Sequence, residues 1–215
     1  MTSAQPRSRR TQEERRAEAE RRLLEAAAEL IAKIGPARVT LANIGERAGY
    51  SRGLATHHFG SKGAMMQRLV DAVTVQFRDA VTAQSRSDSA LDEAVGLIGA
   101  YFAALAHPAP INRVRLVLWA DAVTTRSPGV AQAMLAADQE FRGELAKRIE
   151  RGVSSGEFDT SVDPGGLATA IVGMLRGIAM QHLLDPQVDL NAARAEAERL
   201  LINRVRPQDE KETTT

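Results

Sequence analysis

The sequence predicts an all-α fold of about nine helices, and three observations carry that prediction. Apolar residues recur at three- and four-residue spacing through most of the chain. No segment alternates apolar and polar residues for long enough to be a strand. The periodic segments are separated by glycine, proline and short polar clusters, as at "IGPA", "FGSKG", "HPAP", "RSPG" and "SVDPGG". No internal repeat of roughly 20 to 50 residues is visible.

The elements follow in order. Residues 1–12, "MTSAQPRSRRTQ", are polar and basic without periodicity and are expected to be a disordered arm. From Glu13 the pattern turns helical, with Leu24, Ala27, Ala28, Ile31 and Ile34 in register until Gly35-Pro36 stops it. Thr40 caps a short second helix whose stripe is Leu41, Ile44 and Ala48, and Gly49 ends it where a left-handed backbone is expected. Ser51 is placed to cap a third helix running to about His58. After "FGSKG", Met66, Leu69, Val70, Val73 and Phe77 mark a long fourth helix.

Further helices are expected at about Leu91–Ala106, Ile111–Thr125 and Gly129–Ser154, then from Asp163-Pro164, an acidic cap with proline in the first turn, to Asp185, and last from about Leu190 to Arg206. The predicted division is a head over residues 13–62, a larger helical part over residues 63–206, and a disordered tail over residues 207–215.

Composition narrows the function. At 215 residues and 44% hydrophobic content the chain can bury a substantial core. Cysteine is absent, which excludes disulfides, zinc-thiolate sites and a cysteine nucleophile. No signal peptide precedes the first helix, so the expected location is cytoplasmic. The longest apolar stretch, "GGLATAIVGMLRGIAMQHLL" from Gly165 to Leu184, is long enough to cross a membrane, but Arg176 at its middle makes a buried helix the better reading, and no membrane partner is expected. The net charge of +1 hides a segregation: residues 1–70 hold 13 Lys+Arg against 7 Asp+Glu, whereas residues 71–215 hold 15 against 20. Such a distribution suits a head that meets a polyanion.

The positive head holds the stretch "AGYSRGLATHHFGSKGAMM", Ala48 to Met66. Metal ligation by His57 and His58 is disfavoured, because adjacent helical residues diverge by about 100° and one ion needs ligands three or four apart. No acidic residue lies between Glu46 and Asp71 to add oxygen ligands. Nucleophilic chemistry by Ser51 would need a base oriented by a third group, and His57 and His58 are nearly two turns away with no carboxylate beside them. No catalytic motif, metal or cofactor is expected anywhere in the chain.

Contact with DNA accounts for more of the residues. Two short helices joined by a glycine-containing turn have the spacing of a helix-turn-helix, whose second helix enters the major groove. Ala55 and Phe59 should face the core, leaving Arg52, Gly53, Thr56 and His57 outward. Arg52 can pair with guanine or hold a phosphate, Thr56 and His57 can donate to phosphate or base edges, and Gly53 lets the backbone approach. Thr40 and Lys62 start helices that flank the groove. The full candidate set is Thr40, Ala42, Tyr50, Ser51, Arg52, Gly53, Thr56, His57, His58 and Lys62.

The run "TLANIGERAGYSRGLATHHFGSKGAMM", Thr40 to Met66, resembles the signature of the TetR family of bacterial transcriptional regulators. Thr40, Ile44, Ala48, Gly49, Ser51, Gly53, His58, Phe59, Ser61 and Lys62 match it in place. Two positions depart: Gly45 stands where alanine is usual, which is expected to loosen the second helix, and Thr56 stands where most members carry a tyrosine that touches the DNA backbone. The resemblance implies a repressor that binds a palindromic operator as a homodimer and is released by a small-molecule effector, unidentified from sequence.

It also implies that the carboxy-terminal helices bind the effector and form the dimer. Candidates for the interface are Thr169, Ala170, Gly173, Gly177, Ala193, Ala197, Leu200 and Leu201, a small-residue and apolar set on the last two helices. Candidates for the pocket are Phe102, His107, Arg113, Trp119, Asp121, Phe141, Met174 and His182. The basic arm "PRSRR" is either a minor-groove contact or a solubilising tail. The alternative to a regulator is a helical small-molecule-binding protein or enzyme with a vestigial helix-turn-helix.

Overall fold

The computed structural model describes residues 11–82, 87–106, 110–125 and 129–207. Among them the chain forms nine α-helices: α1 Gln12–Ile34, α2 Leu41–Arg47, α3 Leu54–Phe59, α4 Lys62–Thr82, α5 Ala90–Ala106, α6 Pro110–Thr124, α7 Val130–Ser154, α8 Pro164–Leu184 and α9 Leu190–Val205, with one 3-10 turn at Pro36–Arg38. The expected arm and tail fall largely outside the described residues, and so does His107.

The first helix begins earlier than the apolar periodicity suggests. Thr11 and Glu14 form a capping box: the Glu14 N–H donates to Thr11 Oγ1 at 3.1 Å, and the Thr11 N–H to Glu14 Oε2 at 2.8 Å. Thr11 is therefore the N-cap of α1 and Gln12 its first residue, rather than part of the arm. At the far end of the chain Asp163 caps α8 through the Gly166 N–H at 3.0 Å, with Pro164 at the first helical position as predicted.

The helices close around two apolar clusters. The head cluster joins Leu23, Ala27 and Ile31 of α1, Ile44 of α2, Ala55 of α3, and Met65, Leu69, Val70 and Val73 of α4. It reaches into the larger part through Val114 and Leu118 of α6 and Val130 and Met134 of α7. The second cluster holds Phe77 at the far half of α4, Leu97, Ile98, Tyr101 and Phe102 of α5, Leu145 and Ile149 of α7, Phe158, and Leu175 and Ala179 of α8. Burial of each large side chain contributes about 1.5 to 3 kcal/mol. Three helices, α4, α6 and α7, thus contribute to both cores, and the head is not separated from the rest by a break in packing.

Candidate functional site

The Thr40 hydroxyl accepts from the Asn43 N–H at 3.2 Å and donates to Asn43 Oδ1 at 2.6 Å, which fixes the start of α2. Gly49 adopts the expected left-handed backbone with φ of 78°. The turn is then pinned by the Tyr50 N–H on the Gly45 carbonyl at 2.9 Å and the Leu54 N–H on the Ser51 carbonyl at 3.1 Å.

Two local expectations are corrected here. Gly45 does not loosen α2; a Cβ at that position would lie 2.6 Å from the Ser51 carbonyl oxygen, so glycine is what lets the turn fold back this closely onto the helix. Ser51 does not cap α3: the N-cap is Gly53, without a side-chain hydrogen bond, and Ser51 contributes its carbonyl while its side chain stays exposed.

The third helix divides as its periodicity predicts. Ala55 is fully buried and Phe59 packs against the head cluster, whereas Thr56 and His57 are exposed. His58, though among the DNA candidates, turns inward, with Nε2 3.2 Å from Glu20 Oε2 on α1 and its ring edge-on to Phe59 at 4.8 Å. Glu20 also accepts from Arg68 of α4 at 2.8 Å, so this carboxylate ties α1, α3 and α4 together. His58 positions the recognition helix rather than projecting from it.

Arg52 is 77% exposed and pairs with Glu46 on α2. An ion pair this exposed is worth little, so the guanidinium is free to exchange partners. Lys62 donates through Nζ to the Ala37 carbonyl at 3.0 Å, which leaves two of its three donors for another acceptor. Ala42 and Tyr50 are half-buried, Tyr50 against the head cluster. Nothing in sequence spacing reveals Glu20 or Glu46, because each acts across a tertiary contact.

The pocket candidates do not converge on one place. Phe102, Phe141 and Met174 join the second cluster, where Phe141 lies 5.7 Å from the Phe77 ring. Trp119 lines a separate open cleft of about 480 Å³ with Val123, Met134, Leu135 and Asp138, and its ring is covered by the Arg176 guanidinium at 4.4 Å. Asp121 is buried on the flank of α6 that carries Val114 and Leu118, toward the head, and its Oδ2 has no partner. Arg113 is exposed, because its helix turns Arg115 inward instead. His182 is half-buried, with Nδ1 lacking a partner.

The interface candidates split in a similar way. Thr169, Ala170, Gly173 and Leu200 are exposed, and a Cβ at Gly173 or Gly177 would meet nothing in the chain. Ala193 is half-buried against the second cluster. Ala197 and Leu201 lie inside that cluster and so are core residues of the chain itself. Although α8 is the one described helix long and apolar enough to cross a membrane, only 28% of its apolar window is buried. Arg176 at its middle pairs with Asp138 of α7, which satisfies the charge within the helical layer.

Comparison with known proteins matches this architecture along its length. A model of bacterial regulatory proteins of the tetR family matches residues 23–69, and one of the carboxy-terminal domain of BetI-type transcriptional repressors matches residues 90–204. A probable HTH-type transcriptional regulator, ArpR, of Pseudomonas putida is 31% identical over 192 residues, 85% of this chain and 88% of that one. Two solved structures share the fold. A transcriptional regulator from Saccharomonospora viridis in complex with choline has a TM-score of 0.74 at 22% identity, covering 88% of this chain and 98% of that one. SmeT in complex with triclosan has a TM-score of 0.75 at 20% identity, covering 88% and 92%.

Proposed function

The chain belongs to the TetR family of helix-turn-helix transcriptional regulators, and from that premise we propose that it is a homodimeric repressor released from a palindromic operator by a small organic effector. Membership sets aside an enzyme with a vestigial helix-turn-helix, since this is a family of regulators. The observation that carries the finer reading is the double role of α4. Its first half, Met65 to Val73, completes the core beneath the recognition helix, and Phe77 belongs to the core of the larger part. A ligand that biases the second cluster therefore acts on a helix that the head cannot ignore.

The division of labour follows. Residues 13–62 meet DNA in the cytoplasm, with Arg52, Thr56 and His57 toward the groove and Thr40, Ala42, Tyr50, Ser51, Gly53 and Lys62 around it, while residues 63–206 bind effector and partner. Dimerisation is supported by the small-residue face of α8, which at Gly173 and Gly177 no described residue covers. The interior around Phe102, Phe141 and Met174 is the effector site in this reading. Choline and triclosan are bound by two proteins of the same fold; for this chain they support only a small organic ligand.

Genomic fragments retained by the purified protein at physiological salt test the proposal. They are expected to converge on a palindrome with half-sites about one helical turn apart, or a multiple of it, and binding should fall steeply as salt rises. Failure to enrich a palindrome, or a flat salt response, overturns it.

A further inference from the structure

The second core contains an arginine that no carboxylate among the described residues answers. Arg115, on α6, holds its guanidinium 3.8 Å from the centroid of the Phe77 ring and 5.5 Å from that of Tyr101. It donates to Tyr101 Oη at 3.2 Å. Its Nε is buried without an acceptor, and among the described residues no acidic side chain pairs with it. Guanidinium does not shed its proton in a protein, so the charge persists and its desolvation must be met by something. Ring faces and one phenol meet part of it.

Arg176 shows how this fold completes such a group. It too is mostly buried, at 15% exposure, and stacks on an aromatic face, that of Trp119 at 4.4 Å. Yet it is paired with Asp138, which also accepts from Arg142 at 2.8 Å. Arg115 has the stacking without the carboxylate. The unsatisfied Nε–H belongs to the edge of a guanidinium that, with one terminal nitrogen, matches two carboxylate oxygens. Beside it Phe77 and Tyr101 are buried, whereas Phe141 and Met174 pack against the cluster while remaining partly accessible, so the approach for an apolar body is from their side.

We infer that the effector is an organic anion: an aromatic or aliphatic body lying against Phe77, Tyr101 and Phe141, with a carboxylate accepting hydrogen bonds from Arg115. This rests on the reading of the second core as the effector site. It excludes a quaternary ammonium as the preferred ligand, since the Phe77 face that would attract such a cation already carries a like charge. The consequence for DNA follows from neighbours on the same helix. Val114 and Leu118 pack in the head cluster, so an anion drawing on Arg115 pulls on the helix that buttresses the head.

Calorimetric titration of the full-length protein with phenylbutyrate, phenylbutanol and phenylbutylammonium separates the possibilities. The acid should bind at least about tenfold tighter than the alcohol, as a charge-assisted bidentate pair supports, and the ammonium should bind most weakly. Arg115→Met should abolish the preference while leaving the alcohol within about threefold of its original affinity. Arg115→Lys, which keeps the charge and loses the fork, should fall between the two and serves where the methionine variant fails to fold. Equal binding of the three probes, acid binding undiminished in the variants, or no acid binding at millimolar concentration overturns the inference. Operator binding without ligand is measured alongside: intact DNA binding with charge-blind ligand binding rejects the anionic effector alone, whereas loss of palindrome binding in the wild type rejects the repressor reading itself.

Discussion

Two glycines show how differently the two ends of the molecule are built. Gly45, in the recognition motif, is required by the chain's own backbone, because a side chain there would strike the Ser51 carbonyl. At Gly177, on α8, a side chain would meet open space, and nothing among the described residues explains why a helix interior should accept the entropic cost of glycine. The turn between α2 and α3 is closed by contacts a few residues apart. The larger part is closed by contacts distant in sequence, and around Gly173 and Gly177 of α8 by none among the described residues.

The largest effect should come from breaking that contrast on the α8 side. Gly177→Leu places a bulky side chain on a face that is empty in one subunit and close-packed in the proposed dimer. The two-fold axis repeats the clash, so dimerisation should weaken by about 2 to 6 kcal/mol, twice the usual penalty of overpacking. Sedimentation should then find monomers whose thermal unfolding is no lower than that of a wild-type monomer. An unchanged dimer means that α8 is not the interface.

In the head the same kind of change should act within the subunit. Gly45→Ala, although it installs the residue the family resemblance leads one to expect, should destabilise the protein by about 1 to 3 kcal/mol as the turn is pushed off α2. Gly173→Ala, by contrast, should be tolerated or gain up to about 1 kcal/mol of helix propensity in the monomer. Urea unfolding of both variants gives the sign. Within the motif, Arg52→Ala should cost about 1 to 3 kcal/mol on the preferred operator and relax base preference. Lys62→Ala should weaken all sequences alike and reduce the salt slope by about one. Competition binding on operator and scrambled duplexes distinguishes the two.

The contrast also explains what was legible in the sequence. Nine helices, their breaks and the outward set of Thr56 and His57 were readable because each depends on periodicity or on a residue within one turn. Even the overlooked start of α1 carried a local signal, the Thr11–Glu14 capping box. By comparison, the reason for Gly45 lies six residues away across a turn, and the cap of α3 falls to Gly53 and not to Ser51, so neither is legible in local sequence. "SSGEFDTSVDPGG" reads as an unremarkable loop, yet Phe158 within it is buried against Gly152, where a Cβ would stand 2.5 Å from its ring. Arg113 is exposed while Arg115 turns inward, because the phase of α6 is set by packing on both clusters and not by its own weak amphipathicity.

Glu157, in that same loop, supplies the long-range counterpart of the Thr40 cap. It crosses 67 residues to accept from the Ala90 N–H at 2.8 Å and also accepts from the Leu91 N–H at 3.0 Å and from Ser89 Oγ. Burial pushes its carboxyl upward, but these three hydrogen bonds and the nearby Arg151 outweigh it and hold the group below an ordinary value of 4.5. A depressed carboxylate stabilises the fold above its unfolded pKa, and that contribution is lost as pH falls through the lower folded value. Glu157→Gln should therefore cost about 0.5 to 2 kcal/mol near neutrality, the range of a helix cap. The difference from wild type should shrink as urea unfolding is repeated below pH 4.5. A pH-independent difference would assign the loss to packing alone.

The smallest effect should come from Glu46, and it tests whether the head's arginine is as available as its exposure suggests. Glu46 is 45% exposed and pairs with Arg52, which is 77% exposed. Both charges remain largely hydrated, so removing the acid should change stability by less than about 0.5 kcal/mol. On DNA the sign reverses the usual expectation for losing an ion pair. Arg52 must leave Glu46 to reach a base or phosphate, and the carboxylate left behind repels the duplex. Glu46→Gln should thus strengthen binding to all sequences by a few-fold, with the gain fading at high salt as screening hides the removed charge. A weaker complex would mean that Glu46 holds Arg52 in the geometry that reads the groove, and the pair would then be part of the recognition surface and not a resting state.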